Sequence, residues 1–128
     1  MQYIGKIDKN LYRVVTENIT SEDIIITDER IEHIKKRHPN DYELFFEYIM
    51  QIIENPDYIL EANKPHTAFV LKKLTLNGER FQLIVRLKTL GDPDEYKNSI
   101  ITFLKIDEYR YDRYLRTKKI LYAVDKKE

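Results

Sequence analysis

Two of the three histidines and two arginines fall in one short run, Thr27-Asp28-Glu29-Arg30-Ile31-Glu32-His33-Ile34-Lys35-Lys36-Arg37-His38-Pro39. Arginine forks grip phosphate through paired hydrogen bonds. Histidine titrates near neutral pH and can give or take a proton during a reaction. Phosphodiester cleavage through a ribose 2′-hydroxyl asks for little more. It needs a base for the hydroxyl, an acid for the leaving 5′-oxygen and cations for the pentavalent phosphorane.

The run reads as one helix. Thr27 suits the N-cap, Asp28 and Glu29 the first turn, and Lys35, Lys36, Arg37 and His38 the last, an order that complements the helix dipole. Pro39 disfavours helical geometry at His38, so the helix should stop there. At about 100° per residue, Arg30, His33 and Arg37 make one stripe, and Ile31, Ile34 and His38 the next. The isoleucines should face the core, which leaves the Arg/His/Arg stripe at its border. The same cations also favour a helix C-terminus without any function, and His38 beside Pro39 could be a cap. His33 and His38 are five apart, about 140° around a helix, so they do not readily share a metal, and the sequence suggests neither metal nor cofactor.

A second candidate segment, Asn98-Ser99-Ile100-Ile101-Thr102-Phe103, reads as a strand carrying the hydroxyls of Ser99 and Thr102. By alternation Ser99, Ile101 and Phe103 share one face, and Ile100, Thr102 and Leu104 the other. Thr102 then either fills the core or points its hydroxyl into a cleft. Arg80 and Arg86 share one face of an earlier strand, opposite in parity to Phe81, Leu83, Val85 and Leu87, which predict a core face. His66, in Asn63-Lys64-Pro65-His66-Thr67, is a weaker candidate for which a surface place is the simpler account.

The elements that must position these residues follow from the apolar periods. Tyr3–Gly5 and Leu11–Thr16 look β-like, and Ile24–Ile26 predicts a short buried strand. Asp41 to about Glu54 predicts a second helix, with Phe45, Tyr48, Ile49, Ile52 and Ile53 as its buried stripe. Strands are expected over 57–62, 67–76, 80–89 and 98–106, with Asn77-Gly78 turning a hairpin between the second and third. A short helix over Glu108–Arg116 and an edge strand over Lys119–Val124 complete the pattern. Helices followed by an antiparallel meander predict one α+β domain over residues 1–128.

Composition narrows the partners. Lysine plus arginine number 22 and aspartate plus glutamate 22, so the net charge is zero and any nucleic-acid contact must come from a local basic patch. There is no cysteine, hence no disulfide or thiolate metal site. No apolar run is long enough to span a membrane and no signal-peptide core is apparent, so the cytoplasm is the expected compartment. Ten tyrosines suit either base stacking or the margin of a small core.

The segments Ile24–Pro39, Asn55–Leu60 and Asn98–Phe103 resemble the phage-associated barnase/EndoU/colicin/RelE-like nucleases, in the same order across most of the chain. The resemblance implies N-terminal helices packed on a four-stranded antiparallel β-sheet. It also implies a metal-independent ribonuclease site in which Arg30, His33, Arg37 and His38 on the helix face Ser99 and Thr102 late in the sheet. On this reading His33, His38, Arg37 and Thr102 are catalytic, while Arg30, Ser99 and Arg86 bind substrate. The partner is RNA, a structured one such as tRNA included, with a host or inhibitor protein as a further partner. The rival is a non-catalytic module on the same fold that binds RNA or protein, such as a phage inhibitor of host defence. A third is an interaction protein with no nucleic-acid role.

Overall fold

The structure is a computed structural model and describes residues 1–39, 42, 46–75 and 77–124. Among the described residues the chain forms a seven-stranded sheet from β1 (Gln2–Lys6), β2 (Asp23–Ile26), β3 (Tyr58–Glu61), β4 (Thr67–Lys73), β5 (Arg80–Arg86), β6 (Asn98–Ile106) and β7 (Ile120–Ala123), in the order β1-β2-β6-β5-β4-β3-β7. All neighbours are antiparallel except β2 and β6, which run parallel through Ile24–Asn98 and Ile25–Ser99. Among the described residues the helices are α1 (Lys9–Tyr12), α2 (Asp28–Arg37), α3 (Ile49–Glu54) and α4 (Glu108–Thr117).

This corrects the expectation of N-terminal helices packed on a four-stranded antiparallel sheet: the chain opens with strand β1, and the helices are interleaved with the strands. The meander is present as β3 to β6, but β2 and β1 extend it on one side and β7 on the other, making the sheet mixed. Each of these short strands is legible by itself, but its place in the sheet is set by partners elsewhere in the chain, which a local apolar period does not show. Leu11–Thr16 is not a strand; Leu11 and Tyr12 end α1, and the Tyr12 hydroxyl donates to the Ile53 carbonyl at 2.8 Å. The expected second helix is described as α3 from Ile49 onward, while Asp41 and Phe45 lie outside the described residues.

Both faces of the sheet are covered. On the first, Ile24, Ile26, Val70, Phe81, Leu83, Val85, Ile100 and Phe103 pack with Ile34 of α2 and Ile49, Ile52 and Ile53 of α3. On the second, Leu60, Phe69, Leu71 and Ile106 pack with Tyr111, Tyr114 and Leu115 of α4. The β4–β5 hairpin turns at Gly78, whose φ of 71° is the left-handed geometry that favours glycine. Of the tyrosines, Tyr12, Tyr42 and Tyr111 are buried, whereas Tyr3, Tyr96 and Tyr109 are exposed.

Alternation fails at one place in β6. Ile84 faces Thr102 but Val85 faces Ile100, so Ile101 is an extra residue, a β-bulge. Ile100 and Phe103, of opposite expected parity, therefore both enter the main core. Ser99 stands across from Arg86 and Thr102 across from Ile84, so both hydroxyl residues come to the second face.

Candidate active site between helix α2 and strand β6

Helix α2 starts where β2 ends. Thr27 Oγ1 accepts from the Arg30 N–H at 3.2 Å, and the chain leaves the helix at His38, whose N–H donates to the Ile34 carbonyl at 2.8 Å. On its β6 side, β2 reaches only the first residues of that strand, and α2 packs alongside β6. Ile34 is buried and Ile31 packs against the core, which fixes the rotation of the helix. Arg30 is then half-buried, while His33 and Arg37 are exposed and His38 half-buried.

A narrow pocket of about 80 Å³ lies between the two elements, lined by His33, Ile34 and Arg37 from α2, by His38 just after it, and by Ile101, Thr102, Phe103 and Leu104 from β6. The four residues expected to be catalytic thus line one pocket. Arg30 lines a larger cleft of about 450 Å³ on the second face, together with Lys64, Thr67, Arg86 and Lys118 around a floor of Phe69, Ile84 and Ile101. Ser99 is half-buried where β2 joins β6, in register with Ile25 and Arg86.

Arg86 is already engaged. Its guanidinium donates to both carboxylate oxygens of Asp92, at 3.0 and 3.2 Å, and to the Leu87 carbonyl. Asp92 also accepts from the Thr89 N–H at 2.8 Å and from the Thr89 hydroxyl at 3.3 Å. The Thr89 backbone donor, aided by Arg86, holds the Asp92 carboxyl below the usual carboxylate range. Arg86 therefore fixes the β5–β6 loop as well as lining the cleft.

Three residues that carry the site's geometry escaped sequence reasoning. Asn98 is fully buried; its Oδ1 accepts from the Lys88 N–H at 2.7 Å, and its Nδ2 donates to the Ser21 and Asp23 carbonyls at 2.6 and 3.0 Å. It pins the lead-in of β2 to the start of β6, and so sets where α2 begins. Asp92 had only the turn signal Gly91-Asp92-Pro93-Asp94 to mark it. Lys118, beyond α4, places its Nζ 4.7 Å from the centre of the Phe69 ring. His66 sits at a φ of 56°, with its Nδ1 3.0 Å from Thr16 Oγ1, in the β3–β4 loop. Among the described residues no group of three or more His, Asp or Glu side chains is arranged to hold a metal ion. Nor is any helix long and apolar enough to cross a membrane.

The family model of the phage-Barnase-EndoU-ColicinE5/D-RelE like nucleases, second group, matches residues 1–123. The chain belongs to this family. The family is described by its likeness to nucleases. The chain is also similar to an ATP-dependent helicase/deoxyribonuclease subunit of Clostridioides difficile (strain 630), 31% identical over 81 residues, which is 63% of the chain. It spans 6% of that protein's length. No solved structure matches the chain.

Proposed function

We propose that this family member is a metal-independent endoribonuclease that cleaves by transesterification at the ribose 2′-hydroxyl, in the pocket between α2 and β6. The observation that carries the reading is that His33, Arg37, His38 and Thr102 line one pocket, with Arg30 on the adjoining cleft. His33 and His38 act as the base and acid pair. One takes the proton of the 2′-hydroxyl, and the other gives a proton to the departing 5′-oxygen. Arg37 and Arg30 bind the phosphate and balance the charge that grows on it in the transition state. The Thr102 hydroxyl, brought to this side by the bulge, hydrogen-bonds a non-bridging oxygen. Ser99 and Arg86 support the substrate strand farther along. The products are a 2′,3′-cyclic phosphate and a 5′-hydroxyl.

The test is incubation of the purified chain with total RNA in EDTA, beside His33→Ala. The expected result is cleavage by the parent that leaves cyclic phosphate ends and is lost in the variant. Activity that disappears on chelation and returns with Mg²⁺ or Zn²⁺ would refute the mechanism. Binding of RNA without cleavage by either protein would favour the non-catalytic module.

A further inference from the structure

Three hollows share lining residues, the middle one lying on the second face of the sheet. The pocket between α2 and β6 shares Ile101 with the larger cleft. That cleft shares Ala62, Asn63, Lys64 and Thr67 with a third hollow of about 500 Å³ beyond the β3–β4 loop, where His66 and Lys119 lie. The middle cleft is chemically distinct. Its described lining holds four cations, Arg30, Lys64, Arg86 and Lys118, and no aspartate or glutamate. In a chain whose basic and acidic residues are equal in number, this is a local segregation of charge. Asp92 answers Arg86, but among the described residues no carboxylate pairs with Arg30, Lys64 or Lys118.

Inside this cationic rim the floor is apolar, made by Phe69, Ile84 and Ile101. At about 450 Å³ the cleft is the size of one small ligand. An apolar floor beneath Arg30, Lys64 and Lys118, which have no carboxylate partner among the described residues, suits a flat ring joined to a phosphate. A duplex keeps its base faces stacked and cannot lay one on such a floor, whereas an unpaired strand can.

We infer that the cleft on the second face of the sheet holds one unpaired nucleotide of the RNA beside the cleaved bond. Its base lies on Ile84 and Ile101, beside the Phe69 ring that Lys118 covers, and its phosphates meet Arg30, Lys64 and the Lys118 ammonium. The chain therefore selects single strands and loops over duplex. This rests on the ribonuclease reading for the position of the cleaved bond, but not for the binding itself.

The experiment separates the two. A labelled 2′-O-methyl RNA strand of about eight nucleotides cannot be cleaved, because its 2′-oxygen is blocked, and it is long enough to fill the track. Its affinity is measured by anisotropy over a range of salt, alone and annealed to its complement, with the parent and with Lys64→Ala/Lys118→Ala. The parent should bind the single strand at least about 10-fold tighter than the duplex. The double variant should lower the steepness of log affinity against log salt by about 1.4, or about 0.7 for each lost cation. Thermal melting checks that the variant folds. If it does not, exposed Lys64→Ala alone should lower the slope by about 0.7. Duplex bound as tightly as the single strand, or an unchanged slope in a folded variant, would overturn the inference. Cleavage of RNA with an unchanged slope sinks the inference and leaves the enzyme standing. Strand binding as expected, with natural RNA never cut, does the reverse.

Discussion

Replacing Asn98 by alanine should unfasten the joint on which the site is built. The side chain is fully buried and makes three hydrogen bonds to backbone groups of Lys88, Ser21 and Asp23. Each such bond contributes about 1 kcal/mol net, and its loss strands a polar partner. Ser21, Asp23 and Lys88 are half-buried, so water can reach in and replace part of what is lost. The expected destabilisation is about 3 kcal/mol. A chain of this length unfolds with an entropy of about 0.27 kcal/mol/K, so its melting temperature should fall by about 11 °C. The assay is calorimetry, backed by urea unfolding, in which the midpoint should drop with the slope unchanged. Native-state amide exchange should rise most in Ile24–Ile26 and the first turn of α2, and least in β4. A melting temperature within about 3 °C of the parent would refute the view that this amide holds β2 to β6.

Three further expectations can be checked alongside it. His33→Ala should lower single-turnover cleavage by about 10²–10⁴ and leave melting unchanged, since its side chain is exposed; His38→Ala should also impair cleavage with little loss of stability, because the helix-ending hydrogen bond comes from its backbone. Asp92 has its carboxyl held low in the folded chain, so its stabilisation is present above the unfolded carboxylate range, near pH 4, and fades as the pH falls through the depressed value. Asp92→Asn should therefore melt below the parent at pH 7, and the gap should close in acid; a gap that widens as the pH falls would contradict this. A Cβ on Gly5 would stand 2.6 Å from the Met50 sulfur, so Gly5→Ala should cost about 1 kcal/mol in the parent and clearly less when combined with Met50→Ala, as a double-mutant cycle of unfolding would show.

The sequence was legible where local chemistry decides the outcome. Thr27 and Pro39 bound α2 through capping and a steric stop, both of which act within a few residues. Asn77-Gly78 made the hairpin visible, and Phe81, Leu83, Val85 and Leu87 showed their core face by simple alternation. The outer strands β1, β2 and β7 became part of the sheet only through partners far along the chain; Ile24 pairs with Asn98, and Ile59 with Tyr122. Asn98 resembles any polar strand residue until the carbonyls of Ser21 and Asp23 are brought to it. On the helix, the period showed the core side of Ile34 but set Arg30 with His33 and Arg37 and His38 apart from them, whereas His38 lines the narrow pocket with His33 and Arg37 and Arg30 lies on the adjoining cleft. The sheet half of the site was hidden, because Thr102 owes its direction to one unpaired residue before it.

That residue also decides how β6 would bear a change of length. Excising one residue from an ordinary strand turns every later side chain to the opposite face. Ile101 is the exception, because it sits outside the pairing. Without it, Ser99, Ile100, Thr102 and Phe103 would follow one another in plain alternation: outward, inward, outward, inward. Both hydroxyls and both core residues would keep their sides. What would vanish is the isoleucine shared by the narrow pocket and the larger cleft, together with the local bend of the strand. A relative one residue shorter at this point can therefore keep the polar half of the site over a shallower floor. A gap drawn a few residues later, at Leu104 or Lys105, would instead assign the end of the strand to the wrong face.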